Sequence, residues 1–205
     1  REGAAVLTGS AGKTFSGPQS GVIVWDDPAL TTPLTDAIFP TLAATHQVNR
    51  VAALAAAAAE FLAFGEAYMG QIVANAQALA AALHARGVPM LAAHKGFTRT
   101  HQAVADVTAF GGGEAVANRL AEANIITNKN LIPSDPAAAW DRPSGLRIGT
   151  TEVTRWGMQT PEMARIADLM GDVLQERRPV EAVRRDAVDL RRSFPMLQYC
   201  FAAER

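Results

Sequence analysis

Residues Gly9–Gly21 read GSAGKTFSGPQSG, with Gly12-Lys13-Thr14 at the centre of a glycine-rich stretch. Short apolar runs flank it at Ala4–Leu7 and Gly21–Trp25, so the spacing predicts a strand, a loop and a second strand. A Gly-Lys-Thr invites a nucleotide-phosphate reading, which needs a glycine five residues earlier and a helix that begins at the lysine. Leu7 stands where that glycine belongs, and Gly17, Pro18 and Gly21 follow too closely for a helix to continue. Two readings of Lys13 remain: a solvated loop lysine, and a lysine that forms a Schiff base and so needs a special setting. A partner for the second reading is Arg147 in Pro143–Thr150, PSGLRIGT, where a planar guanidinium beside two glycines suits bidentate capture of a carboxylate. An ordinary salt bridge is the alternative for Arg147.

Composition narrows the class of partner. The 205 residues are 49% hydrophobic and 19% charged, with a formal net charge of −1. That balance predicts a soluble globular protein and gives no support to nucleic-acid binding. The single Cys200 forms no intrachain disulfide, and no charged-then-apolar leader is evident, so a cytoplasmic address is expected. Val51–Ala59 is alanine-rich and short of the roughly 20 apolar residues of a membrane span, which predicts a packed helix and no membrane partner. His84 and His94 lack ligand-like spacing to each other or to Cys200, so no metal is expected. The start at Arg1, with a strand almost at once, leads us to expect a piece of a longer chain.

From about Asn49 to Arg86, apolar residues fall mostly three or four apart and predict one long helix ended by Gly87 and Pro89. Beyond it, strands are expected at Val88–Ala92, Gln102–Phe110, Ile125–Asn128 and Leu146–Thr150. Helices are expected near Glu114–Ala123, Pro161–Arg177 and Val180–Arg192, which makes this part an α+β module.

The ordered set Lys13-Thr14, Gly17-Pro18, Phe39-Pro40, Asn128-Lys129-Asn130, Pro133, Asp135-Pro136 and Ser144-Gly-Leu-Arg-Ile-Gly-Thr150 resembles serine hydroxymethyltransferase, in landmarks and in their spacing. The resemblance runs to about Leu174 and covers only the C-terminal half of that enzyme. It implies an α/β fold: the C-terminal part of a pyridoxal-phosphate-dependent transferase of fold type I, like aspartate aminotransferase. Residues 1–48 are then the end of the large cofactor-binding domain, 49–86 a connecting helix and 87–205 a small α+β domain.

Carried over by position, the resemblance implies that Lys13 is the catalytic lysine and forms the internal aldimine with pyridoxal phosphate. Ser10 stands where the family has a cofactor-proximal threonine, and Thr45 lies in the segment that reaches the cofactor phosphate of a neighbouring subunit. Arg147 would bind the substrate α-carboxylate, and Asn130 matches an asparagine that contacts the folate pterin. The implied reaction interconverts serine, or another β-hydroxy amino acid, and glycine, with one-carbon transfer to tetrahydrofolate. The implied assembly is a homo-oligomer, a homodimer or larger, or a complex with a complementing N-terminal half.

Two departures stand out. The family histidine before the lysine is Gly12 here, and Ala44-Thr45-His46 replaces its Gly-Gly-Pro. Folate-independent threonine aldolases and transaldolases are therefore an alternative, to which His46, Gln47 and Phe97–Gln102 could belong. A split or truncated half without activity of its own is another. His46 and His101 read more simply as structural residues.

Overall fold

The computed structural model describes residues 3–201, which form two compact units divided between Gly65 and Glu66. In the first, β1 (Val6–Ser10) pairs antiparallel with β2 (Gly21–Trp25), from Val6 opposite Trp25 to Ser10 opposite Gly21. The strand-loop-strand reading of the opening stretch is thus observed, with β1 two residues later than expected. After β2, Asp27 Oδ1 accepts from the Ala29 N–H at 2.9 Å and caps a short turn at Pro28–Leu30. A helix α1 (Thr31–Asp36) follows, then an irregular turn at Ala37–Leu42 in which the Phe39–Pro40 peptide is cis. These elements have no clear signal in the sequence.

Burial in this unit is slight. Among its described residues, Ala11 and Ala57 are the buried apolar side chains, while Leu7, Val24, Leu42, Val48, Val51 and Leu62 are exposed. Two strands alone form a marginal sheet.

The long helix α2 (Val48–Ala85) matches the expected one to within a residue at each end. Length and composition alone would let it cross a membrane. Its part within the second unit is nonetheless built as a protein core element: Tyr68, Ile72, Ala76, Leu79 and Leu83, three or four apart, are all buried.

The second unit holds a three-stranded antiparallel sheet in the order β3 (Gln102–Asp106), β5 (Gly145–Gly149), β4 (Asn128–Asn130). Helices α3 (Gly113–Glu122), α4 (Thr151–Arg155), α5 (Thr160–Leu174) and α6 (Val180–Arg192) complete it. One hydrophobic core joins Leu146 and Ile148 of β5 to Val116 and Leu120 of α3, Met163 and Met170 of α5, and the end of α2. The expected strand at Val88–Ala92 shrinks to a single bridge between Met90 and Ala105. Pro89 cannot donate, and Ala92 turns out of the ladder at φ 55°. Strand β3 stops at Asp106 because Asp106 Oδ1 accepts from both the N–H and the hydroxyl of Thr108, at 2.9 and 2.6 Å, and starts a turn.

One buried polar network fixes α2 to α4. Asn75 is fully buried and its amide donates to Thr154 Oγ1 at 2.8 Å and to the Met158 carbonyl at 2.9 Å, while Gln71 donates to its oxygen at 2.9 Å. Asn75→Leu leaves the Met158 carbonyl buried without a donor, and we expect it to destabilise the chain by about 2 kcal/mol. A urea unfolding curve with an unchanged midpoint would contradict this.

Candidate active site

The loop Ala11–Ser20 joins β1 to β2 and is closed by its own backbone. Ala11 N–H donates to the Ser20 carbonyl at 2.9 Å, Gly17 N–H to the Ala11 carbonyl at 2.9 Å, and Ser16 N–H to the Lys13 carbonyl at 2.8 Å. No helix begins at Lys13, in keeping with the failed phosphate-loop reading. Lys13 is exposed, and its side-chain amine makes no hydrogen bond or ion pair with any described residue. Ser10 ends β1 and is also exposed, as is Thr45 in the segment before α2. Among the described residues no hydrogen bond links Ser10, Lys13 and Thr45 to one another. The ring of His46 lies 5.1 Å from that of Phe39, the contact of a packing residue.

Position 12 has a physical explanation. A Cβ placed on Gly12 would stand 3.0 Å from Gln19 Cα and 3.4 Å from Gln19 N and the Pro18 carbonyl oxygen. A side chain at position 12 would be tight against the returning backbone, which would have to give by a few tenths of an ångström to admit it.

In the second unit, strand alternation separates core from chemistry. Leu146 and Ile148 of β5 face the helices and are buried, while Arg147 between them points to the opposite face and is half-buried. Arg147 lies opposite Asn128 of β4, and its Nε donates to Asn128 Oδ1 at 3.0 Å. The rest of the guanidinium has no ion pair among the described residues. Asn130, two residues along β4, shares that face opposite Gly145, and its amide donates to the Leu131 carbonyl at 2.7 Å. Glycine is required at 145, where a Cβ would collide with the Asn130 carbonyl oxygen and with Ile132. The structure thus brings Arg147 and Asn130 together on one sheet face, and places Ser10, Lys13 and Thr45 in the other unit. Asn128, which orients Arg147, enters the sequence reading only within the landmark Asn128-Lys129-Asn130 and was given no role of its own. The period-two partnership with Asn130 was the available signal.

Asp135 holds the connection between β4 and β5. Its Oδ2 accepts from the N–H groups of Ile132 at 3.0 Å and Ser144 at 2.9 Å. The Ser144 side chain first, then these two N–H groups, hold the Asp135 carboxyl below its ordinary range. Among the described residues, no group of three or more His, Cys, Asp or Glu side chains is placed to hold a metal ion.

Comparison with known proteins gives a consistent set of relatives. The family model for serine hydroxymethyltransferase matches residues 2–170. The chain is 47% identical over 203 residues to the serine hydroxymethyltransferase of Methanopyrus kandleri, covering 99% of this chain and 47% of the relative. It is 46% identical over 200 residues to that of Sulfolobus acidocaldarius, covering 98% and 46%. In three dimensions it resembles the crystal structure of an L-threonine transaldolase from Pseudomonas fluorescens in its internal aldimine state, with a TM-score of 0.87 and 26% identity over 97% of this chain and 45% of that one. The chain spans about half the length of the curated relatives it matches.

The lowered Asp135 carboxyl sets a direction for pH. A group with a depressed folded-state pKa contributes stability above its unfolded value, lost as pH falls through the folded value. We therefore expect the 131–144 connection to loosen below about pH 4, the ordinary carboxylate range. Protection factors of the Ile132 and Ser144 amides, exchange relative to the unfolded chain at the same pH, should fall there, and in Asp135→Asn protection should already be lower at neutral pH and lose that acid dependence. Equal exchange in both proteins at every pH would count against the tether.

Proposed function

The chain belongs to the serine hydroxymethyltransferase family and carries part of the α/β fold of type I pyridoxal-phosphate transferases, and on that premise we propose that it supplies the lysine and the carboxylate-binding arginine of an enzyme interconverting serine and glycine. The observation that carries the reading is Lys13, an exposed amine without a partner among the described residues, on a loop closed by its own backbone.

The residues of the first unit suit pyridoxal phosphate by their chemistry. Lys13 offers a primary amine to an aldehyde, and Ser10 and Thr45 offer hydroxyl and backbone groups to ring substituents and phosphate. Bound there, the cofactor supplies an electron sink for bond breaking at the amino acid Cα. Arg147 binds the α-carboxylate through the guanidinium edge left open by its bond to Asn128. That bond fixes the plane of the guanidinium, which orients the amino acid about its Cα. Asn130, on the same sheet face, contacts the pterin of tetrahydrofolate as co-substrate.

The rest of the site comes from sequence outside this chain, either a complementing N-terminal half or a further copy in a homo-oligomer. The exposed apolar side chains of the first unit and the half-length match to relatives support that need. A cytoplasmic address belongs to the same reading.

A second reading is addition of glycine, through its Cα, to an aldehyde without folate. The transaldolase likeness favours it, as does Gly12 in place of the family histidine.

Adding pyridoxal phosphate to the complemented protein should produce a new absorption band near the visible that is absent in Lys13→Ala. Identical spectra would end the assignment of Lys13. In the active assembly, Arg147→Ala should lower kcat/KM for the amino acid about a hundredfold, the scale of a stranded charge partner. Arg147→Lys should restore little, since an ammonium cannot make the bidentate contact. Product formation from glycine that needs a tetrahydrofolate one-carbon donor selects the first reading; formation with an aldehyde alone selects the second.

A further inference from the structure

Beyond its own closure, the Lys13 loop is fastened to α2 at two places. Arg50 Nη1 donates to the Gln19 carbonyl at 3.0 Å, and the Phe15 ring stacks on Phe61 with centroids 4.7 Å apart and planes 25° from parallel. Arg50 and Phe61 are three turns apart on the helix, about 16 Å along its axis. One attachment would leave the loop free to pivot; two, so separated, remove that freedom. Ala11, at the root of the loop, is 1% exposed, so the chain enters the loop from a fixed point as well.

The two attachments bracket Lys13. Phe15 follows it by two residues. Gln19 lies against Gly12, the residue before it, since a Cβ on Gly12 would stand 3.0 Å from Gln19 Cα. A displacement of Gln19 is therefore felt at the peptide that leads into the lysine. We infer that Arg50 and Phe61 are positioning residues for Lys13, acting through Gln19 and Phe15; this rests on the proposed role of Lys13 as the cofactor-binding amine. Gly12 suits the device: with no side chain at position 12, Gln19 sits close on the loop without having to shift.

The chain has three lysines, Lys13, Lys95 and Lys129, so each serves as a reference for the others. Pyridoxal phosphate with cyanoborohydride fixes an amine to the aldehyde carbon as a secondary amine, with loss of water and addition of hydride, and peptide mass mapping counts the adduct at each lysine. The measurement is made on the 205-residue chain and on its complex with a complementing half. Wild-type protein should label Lys13 ahead of Lys95 and Lys129; equal labelling in both preparations overturns the cofactor role of Lys13 itself. Given that preference, Arg50→Met and Phe61→Ala should each lower the Lys13 to Lys95 ratio about tenfold, the scale expected of a small misplacement of a reacting group. Arg50→Lys and Phe61→Tyr, which keep a donor and a ring, should retain most of the preference. Amide exchange over residues 11–20 should rise in the first pair and not in the second. If Phe61→Ala unwinds α2 by circular dichroism, Phe61→Leu takes its place. Ratios that stay at the wild-type value in Arg50→Met and in the Phe61 variant overturn the positioning role while leaving the reading of Lys13 intact.

Discussion

The alternation of side chains along β5 is the constraint on which the second unit depends. Five residues, Gly145–Gly149, form the middle strand of the sheet and must satisfy a neighbour on each edge. Leu146 and Ile148 are committed to the core, so Arg147 can only emerge on the opposite face, where Asn128 stands across the ladder to receive its Nε. A one-residue slip of register would bury the guanidinium and expose both apolar side chains, a penalty large enough to exclude the slipped pairing. Gly145 fixes that register further, because the Asn130 carbonyl occupies the place of a side chain. The position of the arginine is therefore a consequence of core packing.

The first unit relies on a different kind of order. It buries little, and its loop is defined by backbone hydrogen bonds and by two attachments to α2. Arg50 is itself exposed, and a hydrogen bond in water contributes little to global stability. Its effect is local: it restricts the loop that carries Lys13. Under the proposed reading this is the property an amine nucleophile requires, since the entropy of positioning is then settled before the reacting partner arrives.

Much of this was legible in the sequence, and what escaped it has physical causes. The long helix and α6 follow from apolar spacing alone, because a face of regular period must be buried somewhere. Lys13 and Arg147 stood out because each sits among glycines that constrain the backbone around it. The turns at Pro28–Leu42 and the short helix α4 escaped, since each is too short to show a period, and only Pro28–Leu30 has a side-chain cap, Asp27, to mark it. The strand expected at Val88–Ala92 was lost to Pro89 and to a positive φ at Ala92, neither visible in hydropathy. Asn128 illustrates a further limit: its bond to Arg147 depends on a cross-strand register that joins residues nineteen apart. Likewise, the sequence shows that position 12 has no side chain, while only the folded loop shows how closely Gln19 approaches it.

The apolar character of α2 is best understood through its polar residues. A helix apolar on all sides belongs in a protein core or in lipid, and composition does not separate the two. Asn75 does. Its amide is buried and spends both protons on Thr154 and Met158, partners supplied by protein. Thr150 adds a second tie, its hydroxyl donating to the Ile72 carbonyl at 2.9 Å, and the Tyr68 hydroxyl donates to the Thr151 carbonyl at 3.0 Å. Three polar attachments along two turns of the helix would each be stranded in hydrocarbon, at several kcal/mol apiece by transfer estimates. From Tyr68 onward α2 is therefore a core helix. The same alanine-rich composition continues back to Val48, where Val51 and Leu62 remain exposed. The tie to protein partners is therefore a property of the Tyr68–Ala85 stretch, since composition alone does not distinguish the two parts of the helix.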